Sequence, residues 1–140
     1  MTYPKFYYDL KIREFHIDTL RHVNNATYIS IFEEARWDLV TSRGYGLKEV
    51  QKFKKSPIVL EIDIKFHKEV VNRENVKIET TMLGYKSKVG KLQQSLLGEN
   101  GEVSCVAIFT IGFFDLVERK LIEPSPEWRQ AIALDEGKES

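Results

Sequence analysis

Between residues 58 and 114 the chain repeats one local pattern four times and leaves no room for a helix between the repeats. Residues 58–67 set Ile58, Leu60, Ile62, Ile64 and Phe66 on alternate positions, with mostly polar residues between them. Residues 76–83 and 91–98 follow, and residues 103–114 form an almost continuous apolar run rich in β-formers. Successive side chains point to opposite faces of a strand, so these segments are expected to be strands. Parallel neighbours need crossovers of about a dozen residues or more, which these short connections cannot supply, so the sheet is expected to be antiparallel and a doubly wound fold is excluded. Asn72-Arg73-Glu74-Asn75 reads as a turn, residues 84–90 as a connection or bulged region, and Glu99-Asn100-Gly101-Glu102 carries the Asn-Gly signal of a tight hairpin. The run at 103–114 is expected to be a central strand buried on both faces.

Upstream the period changes. Residues 6–13 alternate Phe6, Tyr8, Leu10 and Ile12 with polar or aromatic neighbours, which predicts a first strand. From residue 25 to about 43, Tyr28, Ile31, Phe32, Ala35 and Leu39, flanked by Ile29 and Val40, recur near every 3.6 residues. That predicts a helix of about five turns, ~28 Å long. Asn24 or Asn25 can cap its start, and Gly44 and Gly46 are stop signals. Residues 47–53 predict a short helical turn, and Pro124, Pro126 and Trp128 lead into a short helix towards Leu134. A sheet with one apolar face needs a cover, and the long helix is the only large one available. The expected fold is therefore a single α+β domain over residues 1–140, a curved antiparallel sheet wrapped around one long central helix.

The polar loop before that helix concentrates the groups suited to chemistry. Asp18, His22, Asn24 and Asn25 fall within eight residues, with Tyr28 one turn on. A helix start presents unpaired N–H groups and partial positive charge to whatever binds there. Lysines plus arginines and aspartates plus glutamates number 21 each, so no overall field draws the chain to nucleic acid or an anionic membrane. The single cysteine, Cys105, excludes an internal disulfide and a multi-cysteine zinc site and suits a reducing compartment. No signal-peptide pattern and no apolar stretch near 20 residues occurs, so a cytoplasmic location is expected. Phosphate-cradling glycine loops, zinc H-E-x-x-H motifs and G-x-S-x-G elbows are absent from the sequence, which disfavours metal and serine-triad mechanisms.

Asp18, His22-Val23-Asn24-Asn25, Tyr28 and Phe32-Glu33-Glu34-Ala35-Arg36, with Ile64-Lys65-Phe66 and Pro126-Glu127-Trp128-Arg129 later on, resemble the hotdog-fold acyl-CoA thioesterases of the 4-hydroxybenzoyl-CoA thioesterase type. The resemblance spans essentially the whole chain. It implies hydrolysis of an acyl thioester of coenzyme A or of an acyl carrier protein, with coenzyme A as part of the substrate and neither cofactor nor metal. It also implies a homodimer or homotetramer whose acyl-pantetheine arm crosses a subunit interface. Asp18 stands where the family places its acidic residue, as nucleophile or general base, and His22, Asn25 and Tyr28 complete the expected site. Glu33 and Glu34 are secondary candidates, because other hotdog thioesterases carry their carboxylate within the helix. Lys86, Lys88 and Arg73 are the candidates for the phosphates of the substrate, with Lys65, Lys68 and Lys91 behind them. Two departures point to a non-hydrolytic acyl-CoA or acyl carrier protein binding module as the alternative: Arg21 replaces a glycine many relatives carry before His22, and Leu20 occupies a position where a related pattern has asparagine. A hotdog hydratase or dehydratase is a third reading.

Overall fold

The computed structural model describes residues 1–139. Strand β1 (Lys5–Lys11) is followed by helices α1 (Asn25–Ser42) and α2 (Leu47–Phe53), then by strands β2 (Lys55–Phe66), β3 (Asn75–Lys86), β4 (Val89–Leu97), β5 (Val103–Asp115) and β6 (Lys120–Ile122), and finally by helix α3 (Pro126–Ala131). Every pairing is antiparallel, in the order β1-β3-β4-β5-β2, with β6 on β5. β4 reaches only as far as Gly112 along β5, and β6 continues its side of the ladder from Phe113. Three residues long and preceded by the Asp115 turn, β6 is too short to show a period in the sequence.

Helix α1 is 18 residues long. It buries Tyr28, Ile31, Phe32, Ala35 and Val40 in one core with Ile78, Leu92, Leu96, Phe109 and Phe113 of the sheet. Its end is a Schellman motif: Gly44 lies at φ 98°, its N–H donates to Thr41 O, and the Tyr45 N–H donates to Val40 O at 2.7 Å. Glycine takes that left-handed conformation without the Cβ clash other residues meet, so the stop signal read from the sequence acts here as a cap.

Two expectations about the sheet are corrected. The inner face of β5 is sealed, with Cys105, Ala107 and Phe109 at 0% exposure, whereas Val106, Ile108 and Thr110 on its outer face are only half-buried because no layer of this chain covers that side. In β2 the alternation is broken at Leu60, where the pairing with β5 jumps from Val59 opposite Ile111 to Glu61 opposite Thr110. A bulge shifts the phase of a strand by one residue. Pro57 and Val59 therefore join Ile62, Ile64 and Phe66 on the inner face, and Ile58 falls opposite Gly112. β2 is an edge strand, and Val59, Ile62 and Phe66 remain 37–48% exposed although they share a face with the sealed residues of β5.

Candidate active site

The loop before α1 is built as a small hairpin of its own. Ile17 bridges to Val23, the Asp18 N–H donates to His22 O at 3.2 Å, and the Arg21 N–H donates to Asp18 O at 3.0 Å. Three residues, Thr19, Leu20 and Arg21, close the turn, and Arg21 sits at φ 68°. A three-residue hairpin loop places its last residue in the left-handed region, where glycine is favoured. The arginine at this position thus adopts the conformation that glycine would take freely. Arg21→Gly is expected to raise the unfolding free energy measured in urea by no more than about 1 kcal/mol, because relief of backbone strain is partly offset by the greater freedom of glycine in the unfolded chain. A loss of stability above that size would contradict this account. The hairpin is tied to the chain after β2 by His22 bridging Val71 and by the Val23 N–H bonded to Val70 O at 3.0 Å. Arg73, at φ 68°, is a second non-glycine residue in a left-handed turn beside it.

Asp18 is half-buried at the mouth of this hairpin. Its Oδ1 accepts the Leu20 N–H at 2.8 Å, and its Oδ2 accepts from Asn24 Nδ2 at 3.4 Å. The Leu20 N–H above all, then Asn24 and the nearby His22, hold its carboxyl below the usual carboxylate range. Asn24 is the N-cap of α1: its Oδ1 accepts the Ala26 N–H at 2.9 Å, while its backbone O accepts those of Thr27 and Tyr28. One residue therefore both closes the helix start and orients the acid. Of the first-turn donors only the Asn25 N–H has no hydrogen-bond acceptor among the described residues, so the unpaired N–H groups expected at the helix start narrow to a single donor.

Asp18, His22, Asn25 and Tyr28 line one open cavity of about 420 Å³, together with Phe66, Lys68 and Glu69 at the end of β2. His22 is half-buried, with Nδ1 3.3 Å from Val23 O. Tyr28 packs its ring 5.3 Å from that of Phe66, and burial pushes its hydroxyl up to about 12, so it stays protonated at neutral pH. The cavity thus holds an ionised carboxylate, one free backbone donor and a protonated phenol against an aromatic wall.

The three cations expected to hold phosphate are not brought together. Arg73 is engaged by Glu14 through two bonds of 2.9 and 3.0 Å. Lys86 and Lys88 flank the β3–β4 turn, on the order of 35 Å along β3 at about 3.3 Å per residue. Lys68, which pairs with Glu102, is the lysine that lines the cavity. Among the secondary candidates, Glu34 accepts from the Tyr8 hydroxyl, and Glu33 faces a different cavity. Cys105 is sealed, and burial pushes its thiol up to about 12, which suits a small core residue.

That second cavity, about 290 Å³ between the C-terminal half of α1 and the sheet, contains groups the sequence reading passed over. Arg36 lines it, and Arg36 Nη1 donates to Gln94 Oε1 at 3.0 Å. Gln94 is fully buried and donates in turn to Phe32 O and to Thr80 Oγ1, both at 3.0 Å. The available signal was a glutamine at the inward position between Leu92 and Leu96 of β4, since a polar residue in a core register requires a partner. Trp37 is among the large aromatic side chains that line this cavity, and Phe66 among those that line the first.

Several known proteins are similar to this chain in sequence and fold. A family model for the thioesterase-like superfamily matches residues 13–132. The chain is 29% identical over 130 residues to the long-chain acyl-CoA thioesterase FadM of Escherichia coli, covering 88% of this chain and 93% of that one. Among solved structures, the probable thioesterase YbaW of Escherichia coli superposes with a TM-score of 0.80 at 26% identity, covering 94% of this chain and 98% of the other. A Staphylococcus aureus protein solved in complex with CoA shares the fold at a TM-score of 0.88 and 18% identity, covering 100% of this chain and 90% of that one.

Proposed function

Because this chain belongs to the thioesterase-like superfamily, with the hotdog fold of its thioesterase neighbours, we propose that it is an enzyme that hydrolyses the thioester of an acyl-CoA, with Asp18 as the reacting acid. The observation that carries this reading is the ionised Asp18 carboxylate sharing a cavity with the free Asn25 N–H. A thioester carbonyl seated there accepts from that N–H as negative charge builds on its oxygen, a contribution worth ~10²–10³ in rate for one such donor. Asp18 then either attacks the carbonyl carbon, expelling the coenzyme A thiolate and leaving a mixed anhydride that water hydrolyses to free acid and carboxylate, or takes the proton of a water that attacks as the thiolate leaves. Tyr28 and Phe66 form an aromatic wall on one side of the reacting centre. Lys68, which lines the cavity and pairs with Glu102, is the candidate for the coenzyme's phosphates in this reading. The proposed steps draw only on these residues and water.

The apolar edge of β2 supports a second copy of the chain as the covering partner, in a homodimer or a pair of such dimers. An exposed edge strand of 12 residues carrying Val59, Ile62 and Phe66 is a template for association. Ile62→Glu is expected to shift the sedimentation coefficient to that of a monomer. No helix among the described residues is long and apolar enough to cross a membrane, and the single sealed thiol accords with a cytoplasmic setting.

The direct test is a panel of acyl-CoA and acyl carrier protein thioesters with detection of free thiol. Turnover of some acyl-CoA is expected; calorimetric binding across the panel without thiol release would instead make the chain a non-hydrolytic binding module. The pH profile is a second check. A carboxyl held below its ordinary value of about 3.9 stays ionised through neutral pH, and the ionised form is lost only as pH falls through its lowered pKa. The acid limb of kcat/KM is therefore expected below about pH 4, with circular dichroism marking where the fold itself fails. A limb centred near pH 6 would assign the essential group elsewhere.

A further inference from the structure

The cavity beneath α1 holds a cation that the proposed hydrolysis does not use. Arg36 lines it among apolar walls that include Phe6, Trp37, Leu92 and Ile111. The guanidinium carbon lies 4.3 Å above the Phe109 ring, and among the described residues no carboxylate comes within 4.0 Å of its nitrogens. Burial draws its pKa down to about 10, which still leaves it charged at neutral pH. Gln94 fixes one nitrogen, and its own amide is already committed to Phe32 O and Thr80 Oγ1, so the amide can turn to no other group. A guanidinium has five N–H donors, and desolvating a charge without a partner is costly. A purely aliphatic guest would leave that cost standing, whereas an oxygen on the guest would offset it.

We propose that Arg36, positioned by Gln94 and Thr80, selects acyl groups that carry an oxygen remote from the thioester, as hydroxyl or carboxylate, over saturated chains of the same length. The inference rests on the acyl-CoA reading above and adds the chemistry of the acyl chain. Both cavities border α1 and β2, Phe66 contributing to one and Val59 to the other. Arg36 lies eight residues beyond Tyr28, ~12 Å along the helix, which sets how far from the thioester the oxygen falls. Glu33 lines the same cavity. It opposes a second negative charge and accepts from a hydroxyl, so the hydroxylated chain is expected to exceed the carboxylated one.

The experiment compares kcat/KM for ω-hydroxydecanoyl-CoA, decanedioyl-CoA and decanoyl-CoA in the wild type, Arg36→Met and Gln94→Glu. A preference for the hydroxylated over the saturated chain of about ten-fold or more is expected in the wild type, since a site built around a polar contact penalises a guest that lacks it. That ratio falls towards one in Arg36→Met. In Gln94→Glu a carboxylate from the chain itself engages Arg36, so the ratio falls again and the dioic substrate becomes the poorest of the three. Equal kcat/KM values in the wild type, or a ratio unchanged in both variants, overturn the inference while leaving the hydrolase reading intact. If the wild type cleaves none of the three, the hydrolase reading is what fails for these chains. Calorimetric titration with the uncleaved ω-hydroxydecanoyl-CoA and decanoyl-CoA then decides the pocket chemistry, tighter binding of the hydroxylated thioester by wild type than by Arg36→Met supporting it and equal binding refuting it.

Discussion

Replacing Asp18 by asparagine is expected to lower kcat by about 10²–10⁴-fold, with little change in KM or in the unfolding midpoint. The substitution is nearly isosteric, and Oδ1 can still accept the Leu20 N–H that shapes the turn. What is lost structurally is the 3.4 Å contact with Asn24 Nδ2, because two amide nitrogens would then face each other. Asn24 itself stays in place through its bond to the Ala26 N–H, so α1 keeps its cap. The change removes the negative charge that the proposed mechanism uses to attack the carbonyl or draw the proton from water, and little else. Steady-state turnover with thiol detection, read beside circular dichroism, checks it. Full activity in a folded Asp18→Asn protein would move the chemistry to another group, and Glu33 would be the next carboxylate to test.

Phe109→Ala is expected to cost about 3–5 kcal/mol, the largest loss of stability from any single substitution considered for this chain. The ring is fully buried, faces Leu92 of β4 and Ile62 of β2 across the sheet, and meets Phe32 of α1 edge-on at 6.0 Å and 79°. It also lies beneath the Arg36 guanidinium. Truncation would therefore open a void where helix and sheet meet and remove the aromatic face on which a half-buried cation rests. Against a total stability of about 5–15 kcal/mol this is a large fraction, and a fall in melting temperature on the order of 10 °C is expected. Urea unfolding with an unchanged slope would assign the loss to the native core. A cost below about 1 kcal/mol would mean that Phe109 does not join the two layers.

Much of the fold could be read from local pattern because its main elements depend on neighbours a few residues apart. The α1 stripe, its Asn24 cap, its Gly44 stop and the Asn-Gly turn at 100–101 each follow from spacings of two to four residues. The site loop was legible for the same reason: Asp18, Asn24 and Tyr28 lie close in sequence, and the turn that presents the acid closes within five residues. Even there, the sequence could not tell which first-turn N–H groups were already taken, since that depends on the rotamer of Asn24.

Other features depended on which distant strand came alongside. The bulge at Leu60 reverses the phase of β2 relative to a regular alternation, and the extra residue is visible only against the register of β5. Arg36 and Gln94 are separated by 58 positions, and Arg73 and Lys86 end far apart, one in the turn before the extended strand β3 and the other at its far end, although only 13 positions separate them. Local periodicity determined the elements, the helix caps and the acid beside the helix tip, because steric and hydrogen-bonding preferences act within a turn or a pleat. Register, the uncovered edge of β2 and the cation in the second cavity were decided by packing the whole core at once, where burial of remote side chains outweighs any local preference.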